Sequence, residues 1–387
     1  MTLRDAALLS FLIILFLVVG VAGRETAPQP VVAAAVVAPV AALPVHLPLP
    51  DPLHGLYVTA WTAGTPKNLD HIFSLFATGE FNAVVIDIKD ASGRLSYQPL
   101  DPTLQALGVG TNRISDLSAV IDAFHTKGIY VIGRVSVFED PFYAKLHPED
   151  AFVDTRTGGV WTDYKGIAWL RPDSSDVEHY VADIAKDAYA QGFDEINLDY
   201  VRFPSDGALQ YLDTSHFQDD KATTMEHFFA AIGEAMKTAH IPLSADVFGL
   251  TMSVSNDMGI GQKADLIAPS VDTLAPMVYP SHFGDGAYGI PVPAADPYDT
   301  IHHSLSDGIA KLAAVGIDKD HLRPWLQDFT LLGISYTPDM VRAQIQAAAD
   351  LGIDSWVLWD PANRYTTAPL TTPIAKTTAP AIGNTSS

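Results

Sequence analysis

The chain has 387 residues, of which 23 are basic and 45 acidic, so its net charge is −22. This charge argues against a nucleic-acid-binding protein, which needs a basic face for the phosphates, and against electrostatic binding to anionic lipid. Hydrophobic residues make up 48% of the sequence, which is enough for a large core and is not typical of a disordered protein. Because cysteine is absent, the chain has no disulfide, no thiolate nucleophile and no zinc–thiolate site.

The two ends of the chain differ in composition from its middle. Residues 1–23 are predicted to be a signal peptide or a membrane anchor, because residues 6–23 form an almost unbroken apolar run. The run is longer than the usual apolar region of a signal peptide and at the lower limit for a membrane-spanning helix. Residues 24–50, rich in alanine, valine and proline, are predicted to be a linker, and residues 366–387 a disordered tail. We therefore expect an extracytoplasmic protein, secreted or held at the membrane by its N-terminal segment, with one folded domain over residues 51–365.

Eight short runs rich in β-branched and aromatic residues recur within that domain, and each predicts a strand. They are GLYVTAW from Gly55, AVVIDIKD from Ala83, YVIGRVSVF from Tyr130, EINLDYVRFP from Glu195, PLSADVFG from Pro242, TLAPMVYP from Thr273, RPWLQDFT from Arg323 and SWVLWDP from Ser355. Helical apolar spacing separates them at residues 68–78, 114–127, 175–191, 223–240, 300–315 and 338–351, with a weaker pattern at 259–268. Glycines typical of helix C-termini follow four of these patterns, at Gly128, Gly192, Gly316 and Gly352.

Strands that alternate with helices indicate a parallel sheet, and eight of them favour the α/β class as a single (β/α)8 TIM barrel. A doubly wound open sheet would show the same alternation. However, no G-x-G-x-x-G follows a strand and no P-loop is present, so the usual nucleotide-binding motifs of such sheets are missing. We therefore predict the barrel.

Most of the predicted strands end in polar or aromatic residues, where the catalytic groups of such barrels lie. Because side chains alternate along a strand, Asp87 should share a face with Lys89, and Asn197 should share one with Asp199. Carboxylates inside apolar strands are costly unless they are paired or functional. The candidate site residues on this basis are Asp87, Lys89, Arg134, Asn197, Asp199, Arg202, Asp246, Tyr279, Asp328, Trp359 and Asp360.

Structural roles remain open for several of these candidates. Asp199 could be a buried partner of Arg134 or Arg202, and Asp246 could cap a helix. The acidic and basic side chains at the end of the second strand could form an internal ion-pair cluster, and Asp328 and Asp360 could organise loops. The aromatic residues at strand ends could belong to the core or could stack on the apolar faces of sugars; they are Trp61, Tyr279 and Trp359.

Carboxylates at neighbouring strand ends suit glycoside hydrolysis, in which one carboxylic acid protonates the leaving oxygen and another attacks the anomeric carbon or activates water. Asp199 and Asp246 are the expected catalytic pair. Nearby cations could keep one of them ionised, and these are Lys89, Arg134 and Arg202. No H-E-x-x-H or comparable metal spacing appears, and the pair His302-His303 lies within a helical pattern, so no metal site or cofactor is expected.

Four segments of the sequence resemble a glycosyl hydrolase barrel family that was formerly a domain of unknown function. They are VVIDIKDASGRLSY, HPEDAFVDTRTGGVWTDYKGIAWLRPDS, GFDEINLDYVRFPSDG and SADVFG. The family is regarded as a distant relative of the α-amylase-type hydrolases, so the resemblance implies an O-glycosyl hydrolase that acts on a polysaccharide, with an α linkage as one option. It implies Asp199 as the nucleophile and Asp246 as the acid. Those relatives carry Glu at the acid position and Arg two residues before the nucleophile, where this chain has Asp246 and Asn197.

Other functions are compatible with parts of the pattern. A carbohydrate-binding barrel without catalysis would use the same carboxylates as acceptors for sugar hydroxyls, and a wide gap between Asp199 and Asp246 would favour it. A Schiff-base aldolase would need a desolvated lysine, but the aspartates beside Lys89 would raise its pKa. A metal-dependent deacetylase would need a His/Asp ligand set, which the sequence does not show.

Overall fold

The computed structural model describes residues 44–331, 333–367 and 370. Eight parallel strands form a closed barrel in sequence order, and the last strand pairs with the first. This confirms the predicted (β/α)8 barrel and excludes the open sheet. The strands are β1 His54–Val58, β2 Ala83–Lys89, β3 Tyr130–Ser136, β4 Glu195–Asp199, β5 Leu243–Phe248, β6 Thr273–Met277, β7 Trp325–Gln327 and β8 Trp356–Trp359.

Ten α-helices lie between the strands within the described residues. They are α1 Ala60–Ala63, α2 Pro66–Phe76, α3 Pro102–Leu107, α4 Leu117–His125, α5 Pro141–Leu146, α6 Ser175–Ala190, α7 Lys221–Ala239, α8 Ala264–Ile267, α9 Pro297–Ala313 and α10 Pro338–Asp350. Seven of these ten helices correspond to the predicted apolar patterns, and three short helices, α1, α3 and α5, were not predicted. The weak pattern at 259–268 corresponds to α8, a single turn of four residues. Within the part of the chain that the structure describes, no helix follows β8.

Local sequence signals set the helix ends. Side chains of Ser174 and Asp220 accept hydrogen bonds from backbone amides in the first turns of α6 and α7, as N-caps do. The four glycines that were predicted to end helices all have positive φ, a conformation in which a Cβ atom would be strained. The helix boundaries therefore follow from capping residues as well as from apolar spacing.

The barrel wall is buried on both sides. Alternate strand residues such as Ile196, Leu198 and Val247 face outward and pack in the layer between strands and helices. The other set faces the barrel interior, whose apolar part includes Tyr57, Val85, Tyr130, Ile132, Trp325 and Val357. The polar residues on the inward set of β2 to β5 are therefore enclosed by aromatic and aliphatic groups.

One buried ion pair inside the barrel was not predicted. Arg323, just before β7, donates hydrogen bonds to both carboxylate oxygens of Glu195 at the start of β4. Ser244 also donates to Glu195, at 2.5 Å, and the Tyr130 hydroxyl lies 3.4 Å away. Because these groups lie at the N-terminal ends of the strands, the pair supports the barrel at the end opposite to the expected site.

The N-terminal leader that was predicted as a signal peptide or anchor, and residues 24–43 of the predicted linker, lie outside the described residues. Residues 44–50 contain no helix or strand. They contact the barrel: the Leu47 amide donates to Asp194 Oδ1 at 2.7 Å, and the His46 ring stacks on Tyr189 at 3.8 Å. No helix among the described residues is long and apolar enough to cross a membrane.

The start of the predicted tail is also in contact with the barrel. The Thr366 amide donates to Asp328 Oδ2 at 2.7 Å, and Leu370 is buried in the outer core. The remainder of that tail, residues 368–369 and 371–387, lies outside the described residues. The contacts of the domain thus extend slightly beyond residues 51–365 at both ends.

Candidate active site

A single guanidinium group organises the polar end of the barrel interior. Arg134 on β3 is 6% exposed and donates to Asp87 Oδ1 on β2 at 2.6 Å and to Asp199 Oδ2 on β4. Its Nε lies 3.8 Å from Asp246 Oδ2 on β5. The predicted pair, Asp199 and Asp246, therefore contacts the same side chain. The guanidinium group of Arg134 touches one oxygen of each carboxyl group, so the two carboxyl groups face one small space.

The register of the sheet explains why these groups meet. Arg134 is the register partner of Asp87 on one side and of Asn197 on the other. Leu198 is paired with Ala245, so Asp199 and Asp246 are the next residues along two adjacent strands. Adjacent strands lie about 4.8 Å apart. Because side chains alternate between the two faces of a strand, both carboxyl groups point inward.

Asp246 is enclosed by polar partners. It is 1% exposed, and its Oδ1 accepts hydrogen bonds from Asn197 Nδ2 at 2.9 Å and from Trp325 Nε1 at 2.6 Å. Burial, with a smaller contribution from the charge of Asp199, raises the pKa of Asp246 to about 8, although Arg134 opposes the shift. Asp246 is therefore protonated at neutral pH. Both donors lie at Oδ1, and Oδ2 faces the guanidinium of Arg134, at 3.8 Å from its Nε.

The sequence neighbours of Asp246 do not form the wall around it. Ala245 and Val247 point outward into the layer between strands and helices, as the alternation of side chains along a strand requires. Burial inside the barrel, among groups from other strands, raises the pKa of Asp246 instead.

Asp199 is held at the point where β4 ends. Its Oδ2 accepts from Arg134, and its Oδ1 accepts from the Tyr200 amide at 2.6 Å. Tyr200 has φ 53°, a left-handed conformation that a non-glycine residue adopts at a cost of about 1–3 kcal/mol. This turn brings the Tyr200 amide onto the Asp199 carboxylate. Both oxygens of Asp199 therefore accept a hydrogen bond, which fixes the orientation of the carboxyl group.

Asp87 is the third carboxylate on Arg134. Its Oδ2 accepts from the Tyr57 hydroxyl on β1, and burial raises its pKa against the opposing effect of the guanidinium. The Tyr57 ring stacks on Trp359 at 3.8 Å, and Arg134 lies over the Trp359 ring at 5.0 Å. Trp359 is thus a half-buried aromatic surface beside the carboxylates, as a sugar-stacking residue would be.

The prediction that Lys89 shares a face with Asp87 was wrong. A register irregularity lies between Asp87 and Lys89, so Lys89 pairs with Val135, which faces the outer layer. The Lys89 ammonium is buried and lies 2.8 Å from Asp140 Oδ2. It also donates to the Ser136 carbonyl at 2.5 Å. Lys89 is therefore a structural ion-pair partner and does not reach the site.

Arg202 and Asn197 take different positions around the catalytic pair. Asn197 donates to Asp246 and also to Ser244 Oγ at 3.2 Å, while its Oδ1 is buried without a hydrogen-bond partner among the described residues. Arg202 lies over the rings of Trp169 and Phe248 and donates to the backbone carbonyl of Phe203. Arg202 is not a direct partner of Asp199, so Arg134 alone fills that role among the two cations that were considered.

Asp328 and Asp360 organise the loops after β7 and β8. Asp360 accepts from the amides of Ala362, at 2.7 Å, and Arg364, at 3.3 Å. Asp328 accepts from the Thr366 amide, and burial raises its pKa to about 7. These contacts agree with the loop-organising alternative, since the amides occupy oxygens that a substrate would otherwise use.

The other strand-end aromatics differ in exposure. Tyr279 is buried, and this burial is the main cause that raises the pKa of its hydroxyl group. The charges of Asp246 and Asp199 raise that pKa further. It lines a cavity of about 350 Å³ together with apolar groups that include Phe248, Met258, Met277 and Phe283. Trp61 on α1 is 64% exposed, with Arg113 over its ring. Tyr279 therefore joins the carboxylate cluster to an apolar cavity on the β5–β6 side.

Sequence reasoning missed three residues of this site. Tyr57 and Trp325 were within predicted strands, but nothing in their spacing revealed hydrogen bonds to Asp87 and Asp246. Glu139 follows β3, is 3% exposed and has a pKa raised to about 7 by burial, which the charge of Arg202 opposes. The charge of Asp199 adds to that shift, so Glu139 lies within electrostatic range of the pair. Its position in the loop after a strand end was the available signal.

The comparisons with known proteins place this geometry in a family. Residues 55–365 match the model of a family described as "Putative glycosyl hydrolase domain". No curated protein matches the chain. A hypothetical protein from Ruminiclostridium thermocellum is 32% identical, with a TM-score of 0.46, over 53% of this chain and 98% of that chain.

Two further solved structures are similar in fold. The glycoside hydrolase domain of PgaB (BpsB) from Bordetella bronchiseptica is 14% identical, with a TM-score of 0.58, over 81% of this chain and 95% of that chain. An α-galactosidase from Thermus thermophilus is 17% identical, with a TM-score of 0.50, over 82% of this chain and 63% of that chain. At these identities the likeness supports the barrel fold alone. Because the family model covers most of the chain, the chain belongs to this glycosyl hydrolase family.

Proposed function

We propose that this protein hydrolyses the glycosidic bonds of a polysaccharide, with Asp246 as the acid and Asp199 as the nucleophile or charge stabiliser. The observation that carries the proposal is the contact of both carboxyl groups with Arg134 in unlike environments. Asp246 has a pKa raised to about 8 and holds a proton at neutral pH. Asp199 receives donors on both oxygens. Acid-assisted glycoside cleavage requires a carboxyl group that can donate a proton and a second one that attacks the anomeric carbon or activates water.

The reaction follows from these roles. Asp246 gives its proton to the glycosidic oxygen as the bond from the anomeric carbon breaks, and the electron pair of that bond goes to the leaving oxygen. Asp199 stabilises the positive charge that develops on the sugar, either by direct attack or by orienting a water molecule. Water supplies the hydroxyl group of the product. After direct attack by Asp199, the water proton goes to Asp246 as the glycosyl ester is hydrolysed; if Asp199 activates the water instead, the proton goes to Asp199, and exchange with solvent restores both groups. Arg134 holds Asp199 Oδ2 in place through its hydrogen bond.

Glu139 is the alternative acid for the same reaction. Its pKa of about 7 also leaves a substantial protonated fraction near neutral pH, and it lies in the loop above β3. The two candidates differ in position, since Asp246 contacts Arg134 directly and Glu139 is influenced by Arg202. We assign the acid role to Asp246 because it belongs to the same contact network as Asp199.

A glycan panel with matched variants tests the proposal. The chain is assayed against α- and β-linked polysaccharides, and NMR follows the product anomers to show retention or inversion. Asp246→Asn should slow substrates with poor leaving groups far more than activated aryl glycosides, which need little protonation. Glu139→Gln is the matched control and should not show this dependence. If the dependence appears only in Glu139→Gln, the acid role moves to Glu139.

A carbohydrate-binding barrel without catalysis is the competing outcome. It would be indicated by glycan binding without turnover, together with weaker binding in Asp199→Asn. We favour hydrolysis because simple hydrogen bonding to sugar hydroxyls does not require a carboxyl group that is kept protonated at neutral pH. If no glycan in the panel is cleaved or bound, both readings fail.

We further propose that the protein works outside the cytoplasm, tethered or secreted through its N-terminal segment. The support is the apolar run at residues 6–23 and the absence of cysteine in all 387 residues. Mass spectrometry of the protein from its native membrane and medium fractions tests this. A cleaved or membrane-associated N-terminus is expected, and an intact protein found only in the cytosol would refute it.

A further inference from the structure

A second group of chemically active side chains lies outside the proposed catalytic site. His147 ends α5, and the next residues form a single 3-10 turn, Pro148–Asp150. One ligand-type atom from each of His147, Glu149 and Asp150 lies within 4.8 Å of the other two. We call residues 147–150 the α5 corner. Among the described residues, no hydrogen bond or ion pair connects it to Arg134 or to the three carboxylates around Arg134.

The buried carboxylate in this corner is only half satisfied. Asp150 is 6% exposed, and its Oδ1 accepts from Ser174 Oγ at 2.6 Å. Its Oδ2 is buried, and no hydrogen-bond partner for it exists among the described residues. A buried carboxylate oxygen without a donor or cation is costly, so such an atom indicates a missing positive partner.

The other two ligands are placed to complete a coordination sphere. His147 Nδ1 lies 3.3 Å from Glu149 Oε1. Two ligand atoms bound to one tetrahedral zinc ion at about 2.0–2.1 Å are about 3.3–3.4 Å apart. The His147 ring also stacks on Tyr143 with centroids 4.5 Å apart, which restricts its orientation. The same two atoms are within hydrogen-bond distance of each other, so a bound ion would replace this contact between His147 and Glu149.

We propose that the α5 corner binds one divalent transition-metal ion of the zinc type. His147 Nδ1, Glu149 Oε1 and Asp150 Oδ2 are the protein ligands, and water fills the remaining position. An imidazole with two carboxylates suits zinc-like ions, whereas calcium and magnesium favour oxygen ligands alone. No metal site was expected from the sequence, because these ligands do not have an H-E-x-x-H spacing.

The bound ion would fix the loop that leads from β3 to α6. Asp150 already holds Ser174, the N-cap of α6, and the Arg171 amide donates to the Asp150 carbonyl at 2.8 Å. A cation at Asp150 Oδ2 therefore ties the end of α5 to the start of α6. The role is structural and is independent of the proposed glycan hydrolysis.

Zinc titration of the metal-free full chain tests the inference. Isothermal titration with ZnCl₂ should show one equivalent bound, and binding should raise the melting temperature. His147→Ala and Glu149→Gln should each weaken that binding at least tenfold. His227→Ala is the matched control, because His227 also lies near one carboxylate, at 3.4 Å from Asp219, but without a third buried ligand. It should bind zinc as the unchanged chain does.

Cobalt gives a second readout that does not depend on stability. CoCl₂ should produce visible absorption bands typical of a four-coordinate site in the unchanged chain and in His227→Ala, and these bands should be lost in His147→Ala. If zinc fails to bind stoichiometrically, or if either variant at position 147 or 149 binds as tightly as the unchanged chain, the proposal is wrong. The melting temperature of Asp150→Asn is compared with that of the unchanged chain, both without metal. This comparison separates a loss of folding from a loss of metal ligation.

Discussion

Replacement of Asp246 by asparagine should change how the stability of the fold depends on pH. Asparagine keeps the shape of the side chain, and its Oδ1 can still accept from Asn197 and Trp325, as Asp246 Oδ1 does at 2.9 and 2.6 Å. The substitution removes only the ionisable group. Any change in pH dependence therefore reports on the proton that Asp246 holds.

The magnitude follows from the pKa of Asp246, which is about 8 in the fold against an ordinary value of 3.8. Between these values the folded protein keeps a proton that the unfolded chain has released, so stability falls as pH rises. Each pH unit removes about 1.4 kcal/mol from the free energy of unfolding. From about pH 5 to pH 7, two units, the loss is about 2.7 kcal/mol, and it ends above the folded pKa.

Urea denaturation between about pH 5 and pH 9 measures this effect. Asp246→Asn should gain stability relative to the unchanged protein as pH rises, and the difference should level off near pH 8. Asp70→Asn, which removes an exposed carboxyl group on α2, is the control and should follow the unchanged protein. Because Asp199 interacts with Asp246, the slope belongs to the pair. Parallel pH profiles for all three proteins would refute the assignment of a buried, protonated Asp246.

Three other predictions concern the same domain. Asp199→Asn should lower turnover on a confirmed glycan by at least about 10³-fold while circular dichroism shows the fold intact, because it removes the charge that faces the developing cation. Arg134→Met should lower the free energy of unfolding by about 3–5 kcal/mol in denaturant titrations, since it leaves Asp87 and Asp199 without their cation. Removal of residues 1–43 should leave the melting temperature unchanged. Removal of residues 1–50 should lower the free energy of unfolding by about 1.5–3 kcal/mol, because the hydrogen bond from the Leu47 amide to the Asp194 carboxylate is lost. Equal stability of the two truncated chains would contradict the last expectation.

The barrel could be predicted because its signals are local and repeated. Each strand needs a short apolar run, each helix an apolar stripe, and each helix end a residue such as Gly192 or Gly352 that tolerates positive φ. These requirements act within a few residues of the chain. They were visible at all eight strands. The alternation with helices indicated a parallel sheet, and the absence of nucleotide-binding motifs favoured the closed barrel over an open sheet.

The site could be predicted only where a strand is regular. Asp199 and Asp246 lie on uninterrupted strands, so the period of two placed both of them inward. Lys89 could not be placed, because the irregularity after Asp87 shifts the alternation by one residue and no sequence signal marks it. Contacts between distant strands, such as Trp325 with Asp246, depend on register around the closed barrel, which a single sequence does not specify.

The contacts of residues 44–50 have a practical consequence for handling this protein on surfaces. The Leu47 amide donates a hydrogen bond to Asp194, the residue just before β4, so this segment contacts the barrel at the N-terminal ends of the strands. Arg134 and its carboxylates face the other end. A bead, a sensor chip or a fused reporter attached ahead of Pro44 would therefore leave the opening of the barrel facing the liquid. An attachment through the loops that follow β3 or β4 would obstruct that opening.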